Sequence, residues 1–588
     1  MLTQPQFKIL SYLCDHPYTS QRALAKALTL SVGSVNTLLK GCRQMEWIAP
    51  DYTLAPAGNH ALEPYKVKNA IILAAGFSSR CAPLSYEKPK GLFKVKGEVL
   101  IERQIRQLQE AGIQDIYVVV GYMKELFFYL EEKFGVHIIV NDEYMQRNNL
   151  SSVYAAKEFF GNSYICYSDN YIQESGYTKY AYQSYYAALY SEEYTDEYIM
   201  AVDKNGLIHQ YYQGGEKCWY QMGEMYFSHD TAQKFLSLLE REYHYPSIYD
   251  MKIDDFYARH LSELPIYIKK YPQDAVLEFD TIAEIEQFDN KFIQNMGENI
   301  LTNICTALRC NDSDITDIHQ IKRGMTNTIF SFTVGNTKYI YRHPGRGTEK
   351  IIDRSREAYA QEVAQTLGLD PTLIKCEPSK GWKLSSYIEN VPFDYTNLDD
   401  ERRGIELIRR LHSNPTTLGW SFDMLERAGD MQAIVSSDYY DAYSQFSALR
   451  EMISQLYAFT KQDGYQLEMC HNDACDSNIL LGKNGTYLID WEYAGDNDPA
   501  ADIGSFIVGC EHTREDCDRI LKLYFGRDLT EKEKRHYYAY IAINGYFLFS
   551  WAIYKESTGQ NLGNFTYMWY QYALKYGKIA LQLYKGGC

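Results

Sequence analysis

"CHNDACDSNILL", residues 470–481, sets His471, Asp473 and Asn478 in the order H-x-D-x-x-x-x-N. Asn478 opens an apolar run, Lys483-Asn484-Gly485 reads as a turn, and "TYLID" runs back to Asp490, which is the pattern of a β-hairpin. In an antiparallel pair the start of the first strand and the end of the second lie at one edge, so Asn478 and Asp490 are expected side by side. An amide oxygen and a carboxylate together suit Mg²⁺, which takes oxygen ligands. Asp473, on the loop just before the hairpin, is then placed to orient or accept the proton of an attacking hydroxyl. The short motif alone also fits a buried polar turn. With the hairpin and Asp490 added, phosphoryl transfer is the better reading.

Around this loop lies a chain of 588 residues, too long for one core. A content of 46% hydrophobic and 23% charged residues is that of a globular protein. No apolar run approaches a membrane span, and "MLTQPQFKIL" lacks a basic segment followed by an apolar stretch and cleavage site, so a cytoplasmic location is expected. The 13 cysteines form no C-x-x-C pair and no zinc-type spacing, which fits buried thiols in a reducing compartment. A net charge of −17 argues against a general nucleic-acid binder but leaves room for a small DNA-binding module. The 54 tyrosines supply ring faces of the kind that hold a quaternary ammonium ion.

Three domains are expected, at 1–66, 67–296 and 297–588. In the first, "TSQRALAKAL" and "SVGSVNTLLKGCRQ" are helical by apolar spacing, and "WIAPDYTLAPAG" reads as a strand pair around Asp51. The order resembles the winged helix-turn-helix family, whose second helix, here about Ser31 to Gln44, would enter the major groove of DNA. Six Lys/Arg against four Asp/Glu is a weak basic excess, and docking or dimerisation is the competing use.

The second domain opens with "NAIILAAGFSSRCAPLSYEKPKGLFKVKG". A buried strand leads into the loop Ala75-Gly76-Phe77-Ser78-Ser79-Arg80, whose backbone N–H groups can approach phosphates while Arg80 and Lys90 neutralise charge. This stretch resembles the nucleotidyltransferases that move a nucleoside monophosphate onto a phosphorylated acceptor. That family often has a second glycine where this chain has Ser78. The alternation of strands and helices downstream is that of an α/β Rossmann-like sheet, with ligands at the carboxyl ends of its strands. "SYICYSDNYI" brings Asp169 to such an end, where the resemblance implies a Mg²⁺ ligand. "MKIDDFYARHL" offers Asp254 and Asp255 for the second metal carboxylate that the resemblance implies, and Asp254 is the one favoured. No nucleophilic side chain is needed, because the acceptor's phosphate can attack the α-phosphorus directly.

The third domain begins with a β-hairpin in "DIHQIKRGMTNTIFSFTVGNTKYIYRHPG", following Thr326 and Asn327, fit to cover ATP phosphates. Arg342 lies on its second strand and Glu357 on the helix after it, spaced to pair. With "HNDACDSNILL" and "YLIDWEYAGDNDPAADIG" the segment resembles the choline and ethanolamine kinase family, an α+β protein-kinase-like fold. Aminoglycoside phosphotransferases share the loop and the metal aspartate. For a choline head, Glu492, Trp551 and Tyr546 are the candidates here, with Trp219 and Tyr220 for phosphocholine in the second domain.

The two resemblances together imply consecutive steps, choline to phosphocholine with ATP and phosphocholine to CDP-choline with CTP, both with Mg²⁺. Three alternatives stand beside this: a sugar kinase with its matching nucleotidyltransferase, an ethanolamine pathway, and a DNA-binding regulator whose enzyme-like parts sense metabolites.

Overall fold

The computed structural model describes residues 2–295, 299–321, 327–345, 348, 351–510, 512–557 and 562–586. It divides into two compact units, Met1–Ile300 and Leu301–Cys588. No helix among the described residues is long and apolar enough to cross a membrane.

The first unit begins with helices α1 (Gln4–Asp15), α2 (Gln21–Leu28), α3 (Val32–Gln44) and α4 (Pro56–Leu62). Ser20 and Ser31 cap α2 and α3, each hydroxyl accepting a backbone N–H three residues on. The expected strand pair is reduced to one bridge, Ile48 to Leu54, because Asp51 folds the wing into a tight turn by accepting from the Thr53 amide and hydroxyl. The capped N-terminus of α3 and its outward face, with Ser34, Thr37 and Lys40, are exposed. Leu2 and Phe7 share a buried cluster with Tyr180, so these helices pack against the sheet domain that follows.

That domain is built on β1 (Asn69–Ala74), fully buried and flanked in parallel by β2 (Asp115–Val120) and β4 (Ser163–Tyr167). Leu100–Glu110, α5, packs Ile101, Ile105 and Leu108 onto one face of this sheet. With β3 (His137–Val140), β6 (Tyr185–Ser191), β7 (Thr195–Val202), β8 (Ile208–Gly215) and β9 (Cys218–Phe227), the sheet runs in the order β8-β7-β9-β4-β1-β2-β3. It is mixed: β9 pairs antiparallel with β4, and β6 joins β9 to β10 (Tyr267–Lys270). A small separate pair of β5 (Asn170–Ile172) and β11 (Val276–Glu278) sets Asn170 opposite Glu278. β4 and β5 thus flank Asp169, and β11 leads to Asp280, so two acids approach one cleft from opposite ends of the domain's sequence.

The second unit has an antiparallel sheet in the order β12-β13-β14-β16-β15, made of Ile315–Ile321, Thr328–Val334, Thr337–His343, Leu373–Glu377 (β15) and Trp382–Ser386 (β16). The expected hairpin is β13–β14, and helix α6 (Arg354–Thr366) follows it, with Asp353 capping the first turn. Further on, β17 (Ile479–Gly482) and β18 (Gly485–Leu488) form the second expected hairpin. The large helical core is organised around α7 (Glu531–Ser557), which is buried on every face from His536 to Lys555, and α8 (Phe565–Tyr584) packed along it.

Candidate active sites

In the first unit a cleft of about 550 Å³ lies at the carboxyl ends of β1 and β4. Ala75, Gly76, Ser78, Ser79, Arg80, Lys90 and Asp169 all line it, as the sequence led us to expect. Ser78 holds φ +51°, the left-handed region where a side chain is strained and glycine is at ease. This explains why a glycine suits the position. Lys90 is brought to Asp169 by the glycine after it: a Cβ on Gly91 would lie 2.8 Å from Ser168 Oγ, so only glycine allows this close approach. Lys90 Nζ then sits 3.0 Å from Asp169 Oδ2. Burial alone would lower the Lys90 pKa, but Asp169 and Glu278 together hold it above the ordinary lysine value.

Asp254 does not line this cleft. It is buried at 4% exposure, and its two oxygens accept from the Tyr211 and Tyr167 hydroxyls at 2.6 and 3.0 Å. Burial pushes its pKa up, and both oxygens are already engaged, so it is a poor metal ligand. Two carboxylates do line the cleft with Asp169, Asp250 and Asp280, and Asp280 lies 2.5 Å from Arg80 Nη1. Asp280 was missed because "EFDTIAEI" reads as an ordinary helix start, with Thr281 capping the next helix. Its neighbour Glu278 is pushed up to about 8 by burial and then by the Asp169 charge, and half-buried Glu197 is raised by burial and then by Asp280. Neither glutamate forms an ion pair among the described residues.

Trp219 and Tyr220 also lie outside the cleft lining. The face of Trp219 already carries the Lys270 ammonium, 4.5 Å from the ring centroid, and Tyr190 packs edge-on at 5.2 Å. Tyr220 is half-buried, its phenol raised by burial and then by Glu197.

In the second unit Ile489 N donates to Asn478 O at 2.9 Å, extending the β17–β18 ladder by a rung and bringing Asn478 and Asp490 to the same edge. Both line a pocket of about 380 Å³ with Arg342 and Lys383. The Asn478 amide donates to the Asp473 carbonyl at 2.8 Å and to Asp473 Oδ2 at 2.9 Å, which turns its Oδ1 away from Asp473. Asp490 takes φ +70°, a conformation aspartate tolerates better than most residues. His471, fully buried, accepts from the Asp473 amide with Nδ1 and donates Nε2–H to the Ile489 carbonyl. Burial keeps it neutral by lowering its pKa, so it braces the loop. Asp502 adds a clamp that went unseen in the sequence, accepting the His471 and Asn472 amides at 3.0 and 2.6 Å. Burial, then Asp490 and Glu492, hold the Asp473 carboxyl well above the usual carboxylate range.

Arg342 and Glu357 form the expected pair, both about 5% exposed, with Arg342 Nη2 2.9 Å from Glu357 Oε2. Two further cations join them: Lys383 at 3.2 Å and Arg354 at 2.7 Å from Glu357. Arg342 also reaches Asp490 at 3.3 Å. Glu492 is not open to an acceptor head. Its Oε2 lies 3.1 Å from Arg354 and accepts from Asn327 Nδ2 at 3.3 Å, so it ties the Asn327 segment to the buried pair. Thr326 lies outside the described residues.

The segment after Asp490 contributes Tyr493 to an aromatic group that the sequence reading did not name. Tyr493, Phe422 and Phe547 pack edge to face with ring centroids 5.7 to 5.9 Å apart around a hollow of about 30 Å³ also lined by Met431, Asp430 and Arg427, whose guanidinium lies 5.9 Å from the Phe422 ring centroid. The Tyr493 phenol is raised by burial, then by Glu492 and Asp473, which places it in the field of the loop acids. Trp551 presents its buried indole N–H to the same phenol. Tyr546 points elsewhere: its hydroxyl accepts from Gln432, and its ring stacks on Phe446.

Three families match consecutive parts of the chain: winged helix-turn-helix DNA-binding over residues 2–49, MobA-like NTP transferase over 70–169, and choline/ethanolamine kinase over 318–541. The choline-phosphate cytidylyltransferase of Streptococcus pneumoniae is 32% identical over 220 residues, 37% of this chain and 96% of its own. The 2-aminoethylphosphonate cytidylyltransferase of Lancefieldella rimae is 34% identical over 229 residues, 38% of this chain and 93% of its own. The crystal structure of choline kinase LicA from Streptococcus pneumoniae is 25% identical and covers 48% of this chain and 98% of that one, with a TM-score of 0.43. The chain belongs to the cytidylyltransferase family, and it joins that domain to a winged helix-turn-helix before it and a choline/ethanolamine kinase domain after it.

Proposed function

We propose that this chain makes CDP-choline in two steps. Residues 297–588 phosphorylate choline with ATP, and residues 67–296 transfer the cytidylyl group of CTP to the phosphocholine formed, releasing pyrophosphate. In the first step Asp473 orients the choline hydroxyl and accepts its proton, while Arg342, fixed by Glu357, faces the ATP phosphates. In the second, Arg80 and Lys90 neutralise the triphosphate, and the acceptor's phosphate oxygen attacks the α-phosphorus in line. Oxygen donors fit Mg²⁺ in both places, Asn478 Oδ1 with Asp490 and Asp169 with Asp280. The ion would supply charge neutralisation on the phosphates.

The observation that carries the choline reading is the 32% identity to a choline-phosphate cytidylyltransferase over 96% of that protein, beside which the rings of Phe422, Tyr493 and Phe547 stand in the kinase domain. A trimethylammonium head has no N–H donor, so ring faces and nearby carboxylates are what can recognise it. Incubating the protein with choline, ATP, CTP and Mg²⁺ should give phosphocholine and then CDP-choline by mass spectrometry. Phosphorylation of a hexose with choline left untouched would overturn the reading.

The 34% identity to a 2-aminoethylphosphonate enzyme supports a second acceptor class, primary ammonium compounds. Glu197 and Glu278, free of ion pairs, would hydrogen-bond such a head. Competition among choline, ethanolamine and 2-aminoethylphosphonate, each at equal concentration, separates the two.

A further inference from the structure

Neither reaction uses the groove of about 460 Å³ between α1 and the sheet domain of the first unit. Its walls are fixed to one another. Residues Lys66 and Tyr180 form a β-bridge, the Tyr182 hydroxyl donates to the Leu2 carbonyl at 3.1 Å, and the Phe7 ring lies 5.3 Å from that of Tyr182.

The lining charge is one-sided. Lys8 on α1 faces Lys179 and Lys269 on the other wall, against the single carboxylate of Asp15. Lys269 is paired with buried Glu224 at 3.3 Å, whereas Lys8 and Lys179 form no ion pair among the described residues. A cation such as free choline is disfavoured here, and an anion is favoured. Tyr12, Tyr180 and Tyr182 line the same space, one face of each covered by His16, Lys179 and Tyr65 in turn, so a flat ring carried on a phosphate chain has their remaining faces and edges to pack on.

Occupancy would be felt in the cleft. The wall segment through Tyr180 continues from β5, which begins one residue after Asp169, and β10 continues into β11 and Asp280. Because β5 and β11 pair with each other, both segments of the sheet-side wall lead within about a dozen residues to the two cleft carboxylates.

We propose that this groove is a regulatory site for a nucleotide, read jointly by the winged helix and the transferase; that the nucleotide is a cytidine one rests on the function proposed above. Equilibrium dialysis of the full chain with labelled CDP-choline should find one more site per chain than in the Lys8→Ala/Tyr12→Ala variant. Lys179→Glu, which leaves α1 untouched, should lose the same site. CDP-choline inhibition of cytidylyl transfer should have a component not relieved by CTP, absent from both variants, while their uninhibited rates stay within about twofold. CTP filling the extra site in place of CDP-choline also supports the proposal. Equal stoichiometry in wild type and in both variants, each with an unchanged thermal midpoint, overturns it. If no cytidylyl transfer occurs at all, the enzymatic reading fails while the dialysis still decides the groove.

Discussion

The two nucleotide sites solve one problem, gathering acids around a polyphosphate, in opposite ways. In the transferase cleft Arg80 and Lys90 pair with Asp280 and Asp169, and close behind them two glutamates, Glu197 and Glu278, are left without an ion pair among the described residues and raised in pKa. In the kinase pocket three cations, Arg342, Arg354 and Lys383, converge on Glu357 and keep it well below the usual carboxylate range although burial opposes them. Unpaired carboxyls that hold their protons suit a site that takes on charge only when metal and a cationic acceptor arrive. A neutralised, hydrogen-bonded network suits one that must hold its shape while phosphates come and go. The first is open to its ligand at some cost in stability; the second is rigid.

The sharpest way to break this contrast is to disable each site alone. Asp473→Ala should lower choline phosphorylation by about 10³-fold and leave CTP-dependent pyrophosphate release from supplied phosphocholine within about twofold. Asp169→Ala should do the reverse by a similar factor. Loss of both activities from either change in a folded protein would end the two-site account.

A smaller effect tests which acid completes the transferase cleft. Asp280→Asn should cut cytidylyl transfer by about 10²-fold and raise the Mg²⁺ concentration needed for half-maximal rate. Asp254→Asn, which keeps both tyrosine hydrogen bonds feasible, should leave that Mg²⁺ requirement where it was. Equal shifts in the two would restore Asp254 as a ligand.

Stability separates the sites further. Arg342→Ala leaves Glu357 buried with less compensation, and the second unit should lose about 3 kcal/mol, read as one displaced calorimetric transition. Because Glu357 is depressed in the folded state, its contribution is present above its ordinary value of 4.5 and is lost as pH falls below it. The wild-type transition should therefore drop on acidification from pH 5 to 3 more steeply than that of the variant. The smallest effect belongs to Ser78→Gly, which relieves the positive φ but adds chain entropy. A gain of at most about 0.5 kcal/mol in the first unit is expected.

What the sequence disclosed was local. Asn478 and Asp490 are tied by a hairpin whose strand pattern and turn are visible in twenty residues, and Arg342 with Glu357 by a strand and the next helix. Asp280 and Asp169 meet only because β5 and β11 pair across about a hundred residues, and no periodicity reports such a pairing. Asp254 drew attention as a doubled acid near the domain's end; tyrosine hydroxyls from two other strands, which no spacing rule foresees, had already claimed it. Trp219 was misread for a similar reason, since Lys270 arrives over its ring from a strand fifty residues later. Helix α1 passed unnoticed because its interest lies in what it packs on.

Helix α7 carries a consequence for how the second unit breathes. Every turn from His536 to Lys555 is enclosed by other elements, so its amides can meet solvent deuterons only when the whole unit opens. Those amides should be the slowest to exchange, while the short exposed wing around Asp51 in the other unit, held by a few local hydrogen bonds, should label far sooner.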